Sequence, residues 1–217
     1  IYKVSTNMTP ISFKANFIRY TTIKQWDNKS YNPTEASFVE FIPQNKNDLQ
    51  VLDNISKRWD EAIYAQTIYN SAFIDSVVGQ KPNHHFYGIT TQKNNLDKPD
   101  TQKVLGIAEV SEKFNKNEIA YLQTKPDYMS KANKSDVIDL VFSIIDKISP
   151  NEKEKEHLPK YKNIGTGIIN SLKETYPNKD IELYATDTAK GFYKKLGFVK
   201  CSFFNSNHMI LKHNKNI

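Results

Sequence analysis

An α/β fold is predicted for this chain because strand-like and helix-like apolar patterns alternate along its second half. Residues 181–185 alternate between apolar and polar side chains, which is typical of a strand with one buried face. Residues 168–172 and 189–196 instead place their apolar side chains at helical spacing. The predicted order here is strand, glycine-containing loop, helix, strand, short helix, strand. A chain of 217 residues is long enough for one domain with a full core.

The first half of the chain adds elements of both kinds. Residues 1–34 are expected to be an N-terminal extension with strand character over residues 16–21, ahead of a domain over residues 35–217. Residues 37–42 alternate and predict the first core strand. Asn47 or Asp48 is expected to cap a helix that contains Ile55, and a second helix is predicted over about residues 59–73. Further strands are predicted over residues 85–90, 104–110 and 118–124.

The helix that starts near residue 168 directly follows two glycines, Gly165 and Gly167. Because glycine has no Cβ, a ligand can come close to the backbone at these positions. The N-terminus of a helix also offers free N–H groups and a partial positive charge, which suit an anion such as pyrophosphate. The loop lacks the lysine of a Walker motif and is no dinucleotide fingerprint. An ordinary helix start after a glycine turn explains the same residues and stays open as an alternative.

A short helix that carries a phenol comes next. Ala189, Phe192 and Tyr193 lie at helical spacing, and Gly197 is expected to end the helix. Thr186 or Asp187, just upstream, is the expected cap. A strand is predicted over residues 198–204. Taken alone, Tyr193 is either a catalytic phenol or a core aromatic beside Phe192.

These segments resemble the motifs of the GNAT superfamily of acetyl-CoA-dependent N-acetyltransferases. The family loop Arg/Gln-x-x-Gly-x-Gly/Ala is matched here by Lys162-Asn163-Ile164-Gly165-Thr166-Gly167. The later family pattern, Asn-x-x-Ala-x-x-Phe-Tyr-x-x-x-Gly-Phe, is matched by Thr186, Ala189, Phe192, Tyr193, Gly197 and Phe198. The upstream strand Glu-x-x-x-Leu-x-Val-x-Pro is matched by Glu118, Leu122, Thr124 and Pro126. Three motifs in the right order, over about residues 84–212, are specific where each alone is weak.

The resemblance implies the GNAT fold, in which a mixed, mostly antiparallel, twisted sheet is flanked by helices. It also implies acetyl-CoA as co-substrate and an amine as acceptor. The residues that it assigns to acetyl-CoA are Leu122, Gln123, Thr124, Lys162, Asn163, Ile164, Gly165, Thr166, Gly167, Thr186, Ala189, Phe192 and Tyr193. The backbone at Leu122 would stabilise the negative charge that builds on the thioester oxygen.

The chain departs from the family pattern in three places. Lys162 keeps the positive charge of the usual Arg but loses its planar donor fork. Thr186 replaces an Asn, which leaves that contact with the pantetheine arm in doubt. The third departure is an insertion over about residues 127–160, in which residues 135–148 predict a helix. That helix is either a packed surface helix or a wall of the acceptor pocket or a dimer contact.

Acetyl transfer to an amine needs a base and an acid. A lysine-type ammonium, with a pKa near ~10.4, must lose a proton before it attacks a thioester. Glu118 is the predicted base by its place before Leu122, with a solvent-facing strand residue as the alternative and Glu109 as a substitute. Tyr193 stands at the position of the general-acid tyrosine of the family, so the resemblance gives it the departing thiolate.

The acceptor site is expected between the early helices and the strand that carries Glu118. Trp59, Tyr64, Tyr69 and Tyr121 are candidates to line it, each with a core position as the alternative. The sequence leaves the acceptor open among a small amine, an aminoglycoside, a polyamine, a peptide N-terminus and a protein lysine.

The composition narrows the class of protein. No apolar run approaches a membrane span, and the net charge of +6 is scattered, so the sequence indicates neither a membrane nor a nucleic-acid partner. A single cysteine, Cys201, excludes an intramolecular disulfide, predicts a small core residue and fits a cytoplasmic setting. The five histidines show no metal-ligand spacing, and His84 and His85 are expected to be a solvated pair in a loop. The sequence starts at Ile1 rather than Met, which leaves a removed leader open.

Two functions remain beside each other. The first is an N-acetyltransferase that works by direct attack of the amine on acetyl-CoA. The alternative is a non-catalytic acyl-CoA-binding sensor or scaffold domain of the same fold. A homodimer is compatible with either function.

Overall fold

The computed structural model describes residues 15–59, 62–79, 81, 83–96, 99–128, 159–201 and 207–213. Within these residues the strands are Asn16–Trp26 (β1), Tyr31–Phe41 (β2), His84–Thr90 (β3), Val104–Glu112 (β4), Lys116–Thr124 (β5), Tyr161–Lys162 (β6), Asp180–Tyr184 (β7), Val199–Lys200 (β8) and His208–Leu211 (β9). The helices are Lys46–Arg58 (α1), Ile63–Val78 (α2), Ile164–Thr175 (α3) and Lys190–Lys195 (α4).

All nine strands belong to one sheet, in the order β6-β1-β2-β3-β4-β5-β7-β9-β8. Neighbouring strands are antiparallel except β5 and β7, which run parallel. A parallel pair needs a long crossover connection, and here the chain from β5 to β7 contains β6 and α3. The predicted α/β fold, with a mixed and mostly antiparallel sheet flanked by helices, is confirmed.

The two faces of the sheet bury separate apolar cores. On one face α1 and α2 pack on the sheet, and Phe41 and Ile107 are fully buried beneath them. On the other face α3 packs through Ile168 and Leu172. The strands alternate between the two cores, as the period of a strand requires. Removal of a ring such as that of Phe41 is expected to cost about 3–5 kcal/mol.

Residues 15–34 form part of this sheet. The strand character predicted over residues 16–21 extends through the whole of β1, in which Ile23 is fully buried. β1 pairs with β2 along its length, and β2 begins at Tyr31. The domain boundary expected after residue 34 therefore falls inside β2.

The two predicted helix caps are wrong. α1 is capped by Asn45, whose side chain accepts from the Asn47 N–H. Asp48 is fully buried instead and accepts from the Ile42 N–H at 2.9 Å, and burial raises its pKa to about 6. The N-cap of α4 is Ala189, with no side-chain cap.

Three further expectations concern single segments. Gly197 follows α4 with a positive φ of 91°, so the predicted helix stop is confirmed. Cys201 is exposed, so its predicted core position is wrong. The helix predicted over residues 135–148 lies outside the described residues. Among the residues that the structure describes, no helix is long and apolar enough to cross a membrane.

Candidate active site at the open edge of β5

β5 and β7 separate after a short contact. β7 pairs with β5 only from Lys116 to Ile119, whereas β4 stays paired with β5 as far as Thr124. A bulge lies at Ala120, because Val110 faces Ile119 while the next residue of β4, Glu109, faces Tyr121. In the described part of the sheet, residues 120–124 therefore form an open edge whose backbone groups can pair with a ligand.

The start of α3 lies against this open edge. A Cβ placed on Gly165 would stand 3.8 Å from Cδ2 of Leu122 on β5 and 3.0 Å from Cζ of Phe192 on α4. The open strand, the N-terminus of α3 and α4 thus converge on one glycine. This convergence brings together residues that the sequence analysis had listed from three separate motifs.

The first turn of α3 presents its backbone N–H groups without a side-chain cap. The N-cap is Asn163 in the left-handed region, with φ 63°, and the first bond inside the helix runs from the Gly167 N–H to the Asn163 carbonyl at 2.9 Å. The N–H groups of Ile164, Gly165 and Thr166 precede that bond and have no acceptor within the helix. Together with the helix dipole they make a site for an anion.

The structure gives both glycines of the loop a packing role as well. A Cβ on Gly167 would come within 2.9 Å of Cδ1 of Ile89, so this glycine lets α3 lie close to the sheet. Gly165 leaves room for the ring of Phe192 in the same way. The close approaches that these glycines permit are made by the protein's own side chains. The candidate anion site is therefore the set of backbone N–H groups at the start of α3.

Three further cofactor candidates contact partners within the protein. The ammonium of Lys162 stands 4.1 Å from the ring centroid of Tyr31, a cation–π contact. Thr186 is exposed, with its hydroxyl 3.2 Å from that of Thr188. Gln123 is buried and donates from Nε2 to the Thr124 carbonyl at 2.8 Å.

Tyr193 is buried where α4 meets the open edge. Its ring packs edge-on against Phe192 and Phe198. Burial raises the pKa of Tyr193 to about 12, and the neighbouring phenol of Tyr64 adds to this. The phenol is therefore protonated at neutral pH and able to donate. Tyr64 belongs to α2, on the opposite face of the sheet, where its ring packs on Tyr121 with centroids 5.4 Å apart.

The two candidate base residues have different surroundings. Glu118 forms an ion pair with Lys113, and Lys113 also contacts the buried Glu182 at 3.3 Å. Glu109 is 5% exposed and contacts Nε2 of His84 through Oε1 at 2.6 Å. The structure brings Glu109, rather than Glu118, opposite Tyr121 on the open stretch of β5.

The sequence analysis missed the histidine at this site. His84 and His85 were expected in a solvated loop, but both lie in β3, with side chains 11% and 20% exposed, so that prediction is wrong. Nδ1 of His84 contacts Asp75 of α2 at 2.7 Å, while His85 pairs with Glu40. The signal that could have found it is Asp75, a carboxylate in an otherwise uncharged helix.

The trio of Asp75, His84 and Glu109 is not a metal site by its arrangement. Within the described residues, no group of three or more His, Cys, Asp and Glu side chains could hold a metal ion.

The chain is similar to Tetrahymena GCN5, at 15% identity over 92% of this chain and 99% of that one, with a TM-score of 0.45. It is also similar to the PaiA N-acetyltransferase of Thermoplasma acidophilum in complex with coenzyme A, at 16% identity over 75% and 91% of the two chains, with a TM-score of 0.39. A candidate GNAT-family acetyltransferase of Desulfovibrio desulfuricans matches at 10% identity over 81% and 96%, with a TM-score of 0.37.

Two of these solved structures are named as an N-acetyltransferase and as a GNAT-family acetyltransferase. No family model and no curated protein matches the sequence.

Proposed function

We propose that this protein transfers the acetyl group of acetyl-CoA to a primary amine by direct attack. The observation that supports this most is the convergence at Gly165 of an open strand edge, an uncapped helix N-terminus and the helix that carries Tyr193. A pantetheine arm carries amide groups, a pyrophosphate carries negative charge, and a thioester releases a thiolate. The three features fit these three parts of one ligand.

In this proposal the backbone does most of the binding. The N–H groups of Ile164, Gly165 and Thr166 receive the pyrophosphate, with Asn163 and Gly167 shaping the turn. The pantetheine arm pairs with Leu122, Gln123 and Thr124 in the way that an added strand pairs with a sheet edge. The residues that flank the arm from the other side are Thr186, Ala189, Phe192 and Tyr193.

The reaction needs two proton transfers. The acceptor ammonium first gives a proton to a carboxylate, Glu118 or Glu109, and the free amine then attacks the thioester carbon. The backbone N–H at Leu122 stabilises the oxyanion. Tyr193 donates its proton to the sulfur as the C–S bond breaks, and it recovers a proton from the nitrogen, which carries one too many. One proton is released per amide formed.

Cofactor binding is tested by a thermal shift. Acetyl-CoA at about 100 times its dissociation constant should stabilise the wild type by about 2.7 kcal/mol, since it binds only the folded protein. Gly165→Glu should abolish this shift, because it places bulk and negative charge at the N-terminus of α3. Gly165→Ala is the matched control: its Cβ displaces only the tip of the Phe192 ring, so part of the shift should remain.

Circular dichroism of the unliganded variants confirms that they are folded. Absence of any shift for the folded wild type at millimolar acetyl-CoA would contradict the proposed function.

One observation favours the alternative of a non-catalytic acyl-CoA-binding domain. Lys162, the only side-chain cation in the loop motif, lies over the ring of Tyr31. A thermal shift with acetyl-CoA, but no thiol release over a panel of amines, would select this alternative. The panel should hold a polyamine, an aminoglycoside and lysine-containing peptides.

A further inference from the structure

A buried trio of titratable side chains reaches β4, the strand next to the open edge of β5. Asp75 of α2 contacts Nδ1 of His84 at 2.7 Å, and Nε2 of the same ring contacts Oε1 of Glu109 at 2.6 Å. The exposed fractions of the three side chains are 1%, 11% and 6%. The trio links three elements, α2, β3 and β4, on the face of the sheet where Tyr64 and Tyr121 meet.

The contacts define the charge of this trio. A neutral imidazole has one N–H, whereas an imidazolium donates from both nitrogens. Because each nitrogen of His84 faces a carboxylate, the geometry selects the imidazolium. The contact with Glu109 raises the pKa of His84 more than burial lowers it, and Asp75 adds to the rise. Two carboxylates and one imidazolium leave a net charge of −1.

Other polar groups face His84 from the solvent side. A cleft of about 250 Å³ is lined by Lys81, Asn83, His84, Ser111 and Glu112. His84 is thus the member of the trio that borders solvent, and Asp75 and Glu109 lie behind it.

One oxygen atom of the trio lacks a hydrogen-bond donor. Oε2 of Glu109 is buried and accepts no hydrogen bond from any described residue. A buried carboxylate oxygen without a donor is unfavourable, so a charged donor that arrives with a ligand gains that interaction. Glu109 is the direct cross-strand neighbour of Tyr121, within the stretch of β5 that β7 leaves open.

We propose that Asp75 and His84 hold Glu109 as the carboxylate that receives the acceptor ammonium and removes its proton, directly or through one water. The inference rests on the proposed acetyl transfer and decides between its two base candidates. Glu118 is the weaker candidate because it lies on the part of β5 that is still paired with β7, where it also forms an ion pair with Lys113. Glu109 is the catalytic residue, and Asp75 and His84 are positioning residues.

The proton balance is simple. The N–H bond of the ammonium breaks as an O–H bond forms at Oε2 of Glu109, and the electron pair stays on nitrogen for the attack. Glu109 returns the proton to solvent after the acetyl group has moved. The imidazolium of His84 remains on Oε1 throughout.

The protein contains a second histidine that serves as a matched control for His84. His85 follows His84, pairs with Glu40 at 2.7 Å and stacks on Tyr87 on the opposite face of the sheet. His84→Gln and His85→Gln therefore remove similar histidine–carboxylate pairs, of which only one reaches Glu109. The variants to compare are Asp75→Asn, His84→Gln, His85→Gln, Glu109→Gln and Glu118→Gln. All are assayed with the amine that the wild type acetylates best, among spermidine, an aminoglycoside and a lysine-containing peptide.

Glu109→Gln should lower kcat/KM about 10²-fold at neutral pH, and the deficit should shrink at high pH, where more amine is already unprotonated. His84→Gln and Asp75→Asn should each lower kcat about 10-fold while KM for acetyl-CoA is unchanged. His85→Gln should stay within about twofold of the wild type. Retained acetyl-CoA thermal shifts show that each variant is folded.

A readout without turnover is the ring NMR signal of His84, assigned by its loss in His84→Gln. At neutral pH it should be that of an imidazolium. A neutral His84, equal losses in His84→Gln and His85→Gln, or a larger loss in Glu118→Gln than in Glu109→Gln would each overturn the inference while leaving acetyl transfer intact. Failure of acetyl-CoA to bind the wild type would instead overturn both.

Discussion

At the residue scale, burial makes Tyr193 hold its proton more tightly than a free phenol does. A phenol with its pKa raised to about 12 is a weak acid, but it is almost fully protonated at neutral pH and lies beside the open edge. Tyr193→Phe removes only the hydroxyl and keeps the edge-on contacts with Phe192 and Phe198. Because Tyr193 is the proposed general acid, Tyr193→Phe should lower kcat about 10²-fold and leave the acetyl-CoA thermal shift unchanged. Wild-type turnover in this variant would assign Tyr193 to packing alone.

His84 should make the stability of the folded protein depend on pH. Its pKa is raised above the unfolded value of 6.5, mainly by Glu109. The stabilisation is therefore fully present below about pH 6.5 and is lost as the pH rises through the raised folded pKa. The free energy of unfolding of the wild type should fall over that range relative to that of His84→Gln.

Urea unfolding from about pH 6 to about pH 9 measures this difference, because every titrating group that does not contact His84 is shared by the two proteins. His85→Gln serves as the control on the opposite face. A difference between the wild type and His84→Gln that does not change with pH would show that folding leaves the pKa of His84 unshifted, and a difference that grows as the pH rises would show that His84 is uncharged in the fold.

Single residues also show what the sequence could predict of the site. The place of Tyr193 on a short helix was predictable because Phe192 and the helix stop Gly197 lie within a few positions of it. The trio of Asp75, His84 and Glu109 was not, because it depends on the register of β3 with β4 and on where α2 crosses them. Register is a property of two paired strands, and the long connection between β3 and β4 does not set it as a tight turn would.

At the element scale, α4 offers a direct test of its backbone. Gly191 lies inside the helix, is exposed, and has open space where a Cβ would be. Gly191→Ala should therefore raise the free energy of unfolding by about 0.5–1 kcal/mol. Gly197→Ala should lower it, since φ is 91° and Cδ1 of Leu211 lies 3.4 Å from the new Cβ. Chemical denaturation measures both, and equal effects would contradict the assigned end of the helix.

The strands predicted over residues 85–90 and 104–110 are confirmed as β3 and β4. In both strands neighbouring residues enter opposite cores, as Phe86 and Tyr87 do in β3 and Ile107 and Ala108 do in β4. The caps were harder, because Asn45, Asn47 and Asp48 are all good capping residues within four positions. Burial decided among them: Asp48 points inward to the Ile42 N–H, and Asn45 is left to cap α1.

At the scale of the whole molecule, the sheet consists of two parts joined by a short contact. The larger part holds the strands β6, β1, β2, β3, β4 and β5, and the smaller part holds β7, β9 and β8. The parallel contact between them covers Lys116–Ile119 and Asp180–Leu183. Lys116 reinforces it through an ion pair with the buried Glu182 at 2.6 Å. Beyond this contact the two parts diverge and leave the edge at which the proposed ligand binds.

Such a division should be visible in the local stability of the protein. The smaller part has few strands and one short junction, so its amides should exchange by openings that cost less free energy than those of β2, β3 and β4. Acetyl-CoA would pair with the open edge of β5 and contact both α3 and α4. It should therefore slow exchange most at residues 120–124, at the start of α3 and in α4, with a smaller effect on β2.

Native-state hydrogen exchange with and without acetyl-CoA measures this pattern segment by segment. Gly165→Glu is the matched control, because it keeps the open edge but fills the anion site, and it should show no added protection. Protection spread evenly over the sheet would indicate that the ligand only stabilises the fold as a whole. Protection confined to the first turn of α3 would place the phosphates there and remove the pantetheine arm from the edge of β5.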